Sequence, residues 1–280
     1  MRRRALAASG LALALAAGAG VGACGGGDGG ADGTQALRQT SANLGKVRSG
    51  TLSLRFVLRP GRGAGDGGVG VELRGPFSLA GDGRLPVARV AYTQIAGDRR
   101  ARATFISTGR AAYVAVGGQT YRLPADRTAA LRLGDGGRQG LDAPRLDARR
   151  WVREPKLSDG PEVAGDETDR VTGKLDAPAA LADLLAAARR NGAGPKLSAS
   201  EARRLSRRVR ESSVEVLTGT RDRLLRRLRM QADLDVPEDL RDRVGGRGAL
   251  HVDFELGVAG PNRPVKVTAP KDARPLPQNG

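Results

Sequence analysis

From residue 250 to 258 every second side chain is apolar: Leu250, Val252, Phe254, Leu256 and Val258, with His251, Asp253 and Glu255 between them. A strand sends successive side chains to opposite faces and so sorts these residues into one dry and one wet set, whereas a helix would scatter them around its circumference. The same alternation sets Leu52, Leu54, Phe56 and Leu58 against Ser53, Arg55, Val57 and Arg59. It recurs in Leu228, Met230, Ala232, Leu234 and Val236, opposed by Arg227, Arg229, Gln231, Asp233 and Asp235. A sheet with one consistently wet face is antiparallel, because parallel sheets are covered on both sides. Its apolar face must be covered by helices or wrapped around something.

Further strands follow from the same period and from turn residues. One contains Phe77 and Leu79; others run over 87–96, 101–106 and 111–116, joined by GDRR (97–100) and TGR (108–110), and 119–123 completes a meander. Another strand is expected at 169–175, and TGTRD (218–222) turns a hairpin between 213–217 and 223–236. Helices are expected over 34–49, capped by Thr34, over 125–133, over 178–190 with Leu181, Leu184 and Leu185 on one face, and over 199–210. Ser198 and Glu201 have capping-box spacing for the last.

The N-terminus predicts export. Three arginines at 2–4 precede an uncharged stretch, 5–23, centred on Leu6, Leu11, Leu13 and Leu15, and the stretch closes in VGAC at 21–24. A positive start, an apolar middle and small residues before a cut describe a signal peptide. Gly22, Ala23 and Cys24 are similar to the bacterial lipobox, with Val21 where leucine is commoner. That resemblance implies a diacylglyceryl group on the Cys24 thiol and cleavage just before it. With about 0.8 kcal/mol per buried methylene, two or three acyl chains hold a protein stably on a membrane. The segment GGGDGGADG (25–33) reads as a flexible tether spanning about 15–18 Å. The chain then divides into a signal peptide (1–23), the lipidated cysteine and tether (24–33), one folded domain (34–270) and a loose Pro-rich tail (271–280).

Chemistry is sparse. With Cys24 the only cysteine and His251 the only histidine, an intramolecular disulfide and cysteine-cluster metal sites are excluded. A Ser–His–Asp arrangement would need His251, yet there is no G-x-S-x-G, and His251 lies on a wet strand face where it is expected to point to solvent. A metal site from His251, Asp253 and Glu255 would space its ligands about 6.6–7 Å apart, too wide for one ion. The loops at 63–70 and 134–140 lack the Lys-Ser/Thr of a phosphate-binding loop. Asp166, Glu167 and Asp169 cluster at a turn and read as solvated. The chain is expected not to be an enzyme and to need no cofactor or metal.

The net charge is +17, or +14 without the three leader arginines, which favours anionic partners such as headgroups. The basic runs at 202–210 and 221–229 are candidates to lie on them. Basic and acidic residues mostly interleave, so no specific nucleic-acid role is expected.

Four phrases, GPFSLAGDGRLP (75–86), STGRAAYVAVGGQTYRLP (107–124), VAGDETDRVTGKLD (163–176) and SSVEVLTGTRDRLLRRLRMQADL (212–234), together with the order of elements over 34–270, resemble the actinobacterial LppX/LprG-type lipoproteins. These are relatives in architecture of the lipoprotein carrier LolA. The resemblance implies an α+β fold: a curved antiparallel half-barrel sheet with helices packed on its concave face and an apolar cavity between. It also implies a lipid-anchored, monomeric protein on the extracytoplasmic face that holds or moves lipids or lipidated molecules. The family's ligand contacts are scattered apolar side chains, so Cys24 is the only site residue carried over. Only 3% of residues are aromatic, and Ala101, Ala103, Ala112 and Ala232 fall on strand faces where larger side chains would fill space. They are expected to line such a cavity, although the same alanines also suit an ordinary packed core. The alternative function is an envelope interaction or accessory lipoprotein without a ligand cavity.

Overall fold

A computed structural model describes residues 29–61, 68–79, 84–129, 148–190, 198–244 and 246–276. The expected signal peptide and Cys24 lie outside these residues.

In chain order the elements are α1 (Gly29–Asn43), β1 (Ser49–Pro60), β2 (Val69–Ser78), β3 (Val87–Ala96), β4 (Arg99–Thr108), β5 (Ala112–Val116), β6 (Gln119–Arg122), α2 (Ala125–Ala129) and α3 (Ala148–Trp151). Then come β7 (Val152–Asp159), β8 (Thr168–Leu175), α4 (Ala177–Arg190), α5 (Ala199–Ser206), β9 (Val209–Gly219), β10 (Leu225–Asp235), β11 (Ala249–Ala259) and β12 (Arg274–Pro275). The twelve strands form one open sheet in the order β12-β6-β5-β4-β3-β2-β1-β11-β10-β9-β8-β7. All neighbours are antiparallel except β12 with β6. The fold is the α+β half-barrel, with the chain's two long runs of strands joined through β1 and β11.

Pairing fixes the faces. Leu54 opposes Leu256 and Phe56 opposes Phe254 across β1 and β11, while Leu228 meets Leu256 and Met230 meets Phe254 across β10 and β11. These residues share the inner face, where helices α1, α3, α4 and α5 pack over the β7–β11 half. Trp151, fully buried at the end of α3, stands edge-on to Phe254 with ring centroids 5.8 Å apart and planes at 70°. Its indole Nε1–H donates to Asp183 Oδ2 on α4 at 2.9 Å, so one side chain ties α3, α4 and the sheet together.

Several expectations are corrected. Helix α1 begins at Gly29, inside the segment read as tether, and docks on β7 so closely that a Cβ at Gly33 would lie 2.8 Å from the Pro155 carbonyl oxygen. Glycine is needed there to let the two backbones meet. Helix α5 ends at Ser206 rather than 210, and β9 starts at Val209, where it pairs with Leu234. The tail is not wholly loose: Arg274 and Pro275 add a parallel edge to β6, and the Leu276 amide donates to the Arg122 carbonyl at 3.3 Å. Helix α3 and strand β7 were not expected.

Candidate functional site

Strands β1, β10 and β11 bring Phe56, Leu58, Met230, Leu234, Leu250 and Val252 onto one patch of the inner face. Helices α4 and α5 cross above it, with Ala177, Ala180, Leu181 and Leu184 from the first and Leu205 and Ser206 from the second. Leu175 and Val209 close the sides. The result is an apolar cleft of about 60 Å³, partly open to solvent. Ser206 supplies the one hydroxyl in this lining, and that hydroxyl donates to the Arg203 carbonyl at 2.9 Å. No side-chain polar group of the lining therefore asks for a polar ligand atom. A volume near 60 Å³ admits about four to six water-sized groups. That suits the end of a hydrocarbon chain rather than a whole lipid.

The roof is set locally. Asp176 caps α4: its carboxylate accepts from the Ala179 amide at 3.1 Å and from Arg153 Nη2 at 2.5 Å. Burial raises the cost of ionising Asp176, but the Ala179 amide and the Arg153 guanidinium outweigh it and hold the carboxyl below the usual aspartate range. Helix α5 carries the complete capping box expected from Ser198 and Glu201, with Glu201 N–H to Ser198 Oγ at 3.2 Å and Ser198 N–H to Glu201 Oε2 at 2.6 Å. Arg204 of α5 pairs with Asp239 at 2.5 Å.

The outer face beneath the floor is cross-braced. Arg55 pairs with Glu72, and Asp253 receives Arg55 at 3.6 Å and Arg59 at 3.7 Å. Arg227 and Arg170 converge on Glu215 at 2.9 and 3.3 Å. His251 lies on this face, as its register requires, but it does not point to solvent. It is 8% exposed, with Nδ1 2.8 Å from Asp233 Oδ1, because Asp233 stands directly across the β10–β11 pair. Among the described residues no three His, Cys, Asp or Glu side chains, His251, Asp253 and Glu255 included, are grouped closely enough to hold one metal ion.

Two other expectations also change. Asp166 and Asp169 are not merely solvated: the nearly buried Arg226 guanidinium bonds Asp166 at 3.1 Å and Asp222 at 2.8 Å, and Arg223 pairs with Asp169, while Glu167 stays exposed 3.9 Å from the exposed Arg221. For Asp222 burial opposes ionisation, yet the Arg226 bond and the Leu224 amide keep its carboxyl low. This cluster pins the β9–β10 turn to the β7–β8 connection. The alanines expected to line a cavity are not in the cleft lining: Ala112 and Ala232 are buried, Ala103 is half-buried and Ala101 is exposed. No helix among the described residues is long and apolar enough to cross a membrane.

An open half-barrel of antiparallel strands, bridged on its inner face by helices over a hydrocarbon-lined cleft, is the class of structure these observations define. No family model matches the chain, and no curated protein does. Among solved structures the fold is similar to that of LprF from Mycobacterium bovis, at 14% identity and TM-score 0.43, covering 86% of this chain and 97% of that one. It is also similar to the Mycobacterium tuberculosis lipoprotein LppX, at 14% identity and TM-score 0.37, with 85% and 99% covered.

Proposed function

We propose that this chain is a lipoprotein anchored through Cys24 on the extracytoplasmic face of the cell membrane, and that it binds the hydrocarbon part of a lipid or lipidated molecule between α4, α5 and the sheet. The observation that carries the reading is the cleft itself: thirteen of its fourteen lining residues are apolar, and the hydroxyl of the fourteenth is spent on its own helix. Hydrocarbon taken into an apolar concavity of this kind removes its lining from water, which is favourable. The VGAC junction after an arginine-led apolar stretch supports export and acylation. Because the cleft holds only about 60 Å³, a whole acyl chain requires α4 and α5 to move away from β10 and β11.

The same small volume is what favours a second reading, an envelope accessory protein whose cleft is a packing remnant. Native mass spectrometry of the full chain, purified in mild detergent from a bacterial host, separates the two. Carriage predicts a non-covalent lipid mass in addition to the acyl modification, recoverable by solvent extraction. A chain with acyl groups and no extractable lipid would establish the second reading instead.

A further inference from the structure

The outer face of the sheet is divided electrostatically. From β1 to β8 its bases face acids: Arg55 with Glu72 and Asp253, Arg59 with Asp253, Arg227 and Arg170 with Glu215. Beyond Glu72 the acids stop. The register places Arg74 of β2, Arg89 of β3, Arg100 and Arg102 of β4, and Arg122 of β6 on that same face. All five are exposed, and none forms an ion pair among the described residues. Between them stand Ala91, Thr93, Thr104, Ala115 and Thr120, and the same register adds the buried Ile95, Ile106 and Tyr113 to this face. Among the described residues of β3–β6 the strands carry no acid, and Asp98 sits in the β3–β4 turn rather than on the face.

Five uncompensated guanidinium groups on neighbouring strands repel one another and contribute nothing to folding through pairing. Such a surface gains by meeting an anionic one. We infer that the outer face of β2–β6 docks the chain on anionic phospholipid headgroups, as a second membrane contact beside the lipid anchor. The choice of headgroups among anions rests on the proposed anchoring at Cys24, which would bring the chain to a bilayer. Docking through the outer face leaves the inner face, with the cleft, free.

The test uses the full chain carrying Cys24→Ala, so that no acyl group contributes, and vesicles of phosphatidylcholine with or without phosphatidylglycerol. Each arginine at an anionic surface is worth about fivefold in binding. Arg89→Gln/Arg100→Gln/Arg102→Gln should therefore lower affinity for the phosphatidylglycerol vesicles on the order of a hundredfold. The non-overlapping pair Arg74→Gln/Arg122→Gln should lower it about 25-fold, which keeps the test decisive if the triple variant misfolds. An equal charge loss at Arg203, Arg207 and Arg208 should change it far less, and added salt should weaken binding of the parent chain. Equal losses in all variants would reduce the effect to net charge and overturn the proposal. So would binding indifferent to phosphatidylglycerol, or a preference for soluble heparin over vesicles, which would assign the face to a wall-type polyanion. Acyl labelling of wild-type Cys24 is measured separately, so failure of the anchor and failure of the docking face are told apart.

Discussion

Ala180→Leu tests whether the cleft is space available to hydrocarbon. Ala180 is 1% exposed on α4 and faces the cleft across from β10 and β11. Leucine matches alanine closely in helix propensity, so the backbone loses little. It adds three carbons, which gain up to about 2.4 kcal/mol at roughly 0.8 per buried methylene, less about 0.5–1 kcal/mol for ordering the side chain. The ligand-free chain should thus be up to about 1.4–1.9 kcal/mol more stable. For a domain of this size that is a rise in Tm of roughly 3–8 °C. Urea unfolding and calorimetry read the stability, and solvent extraction of the same preparations reads bound lipid, which should fall. A loss of 1–3 kcal/mol, the usual cost of overpacking, would show that no such space exists. Greater stability with unchanged lipid would show that lipid binds elsewhere.

Cys24→Ala should abolish incorporation of a clickable fatty acid and release the chain from membranes; a wild type that takes up no label, with a variant that stays equally bound, would refute acylation. Phe254→Ala should cost about 3–5 kcal/mol in urea unfolding, because the ring is buried edge-on against Trp151. His251→Ala should cost about 1–3 kcal/mol, since it strips Asp233 of a buried partner; a cost under about 0.5 kcal/mol would mean a solvated ring. Asp176→Ala should cost about 1 kcal/mol as the lost cap of α4. The Asp176 carboxyl is held low when folded, so the cap's contribution is complete above the ordinary aspartate pKa near 4 and is lost as pH falls. The Tm gap between variant and wild type should accordingly narrow as pH falls below the ordinary aspartate range, and a gap independent of pH would refute the cap.

What could be read from the sequence follows how far a residue's fate is decided by its own strand. Phe56, Leu58, Met230, Leu234, Leu250 and Val252 all fall on faces that alternation identifies as apolar, so the floor of the cleft was legible residue by residue. Strand β7 was not. It is a sheet edge with exposed Arg153, Glu154, Lys156, Ser158 and Asp159, a proline, and a break in register between Arg153 and Lys156. An edge strand tolerates proline and needs no clean alternation. The start of α1 was hidden because Gly29, Gly30 and Gly33 are poor helix formers that only docking on β7 justifies. Alanine failed as a marker of empty space because a small side chain says nothing about what packs above it. His251 was given the correct face and the wrong exposure for a related reason. Alternation separates polar from apolar, but it cannot tell a wet polar face from one closed by its own ion pairs.

That distinction bears on how the cleft would work. The strands that floor it, β1, β10 and β11, are joined by continuous backbone ladders and braced on the outer side through Arg55, Arg59, Asp253, Asp233 and His251. Bending this floor would stretch backbone pairs and buried polar contacts together. The roof is held differently. Helix α4 is fixed at its first turn by Asp176 and at mid-length by the Asp183 bonds to Trp151 and Arg150, while α5 relies on its own capping box and the exposed Arg204–Asp239 pair. Elsewhere both helices meet the sheet through Leu181, Leu184 and Leu205, contacts that hydrocarbon can replace without leaving a polar group unsatisfied. Under the proposed function, exchanging those protein contacts for acyl contacts is the least costly way to enlarge the cleft. The sequence's own division, ion pairs beneath the floor and leucines beneath the roof, then decides which side yields.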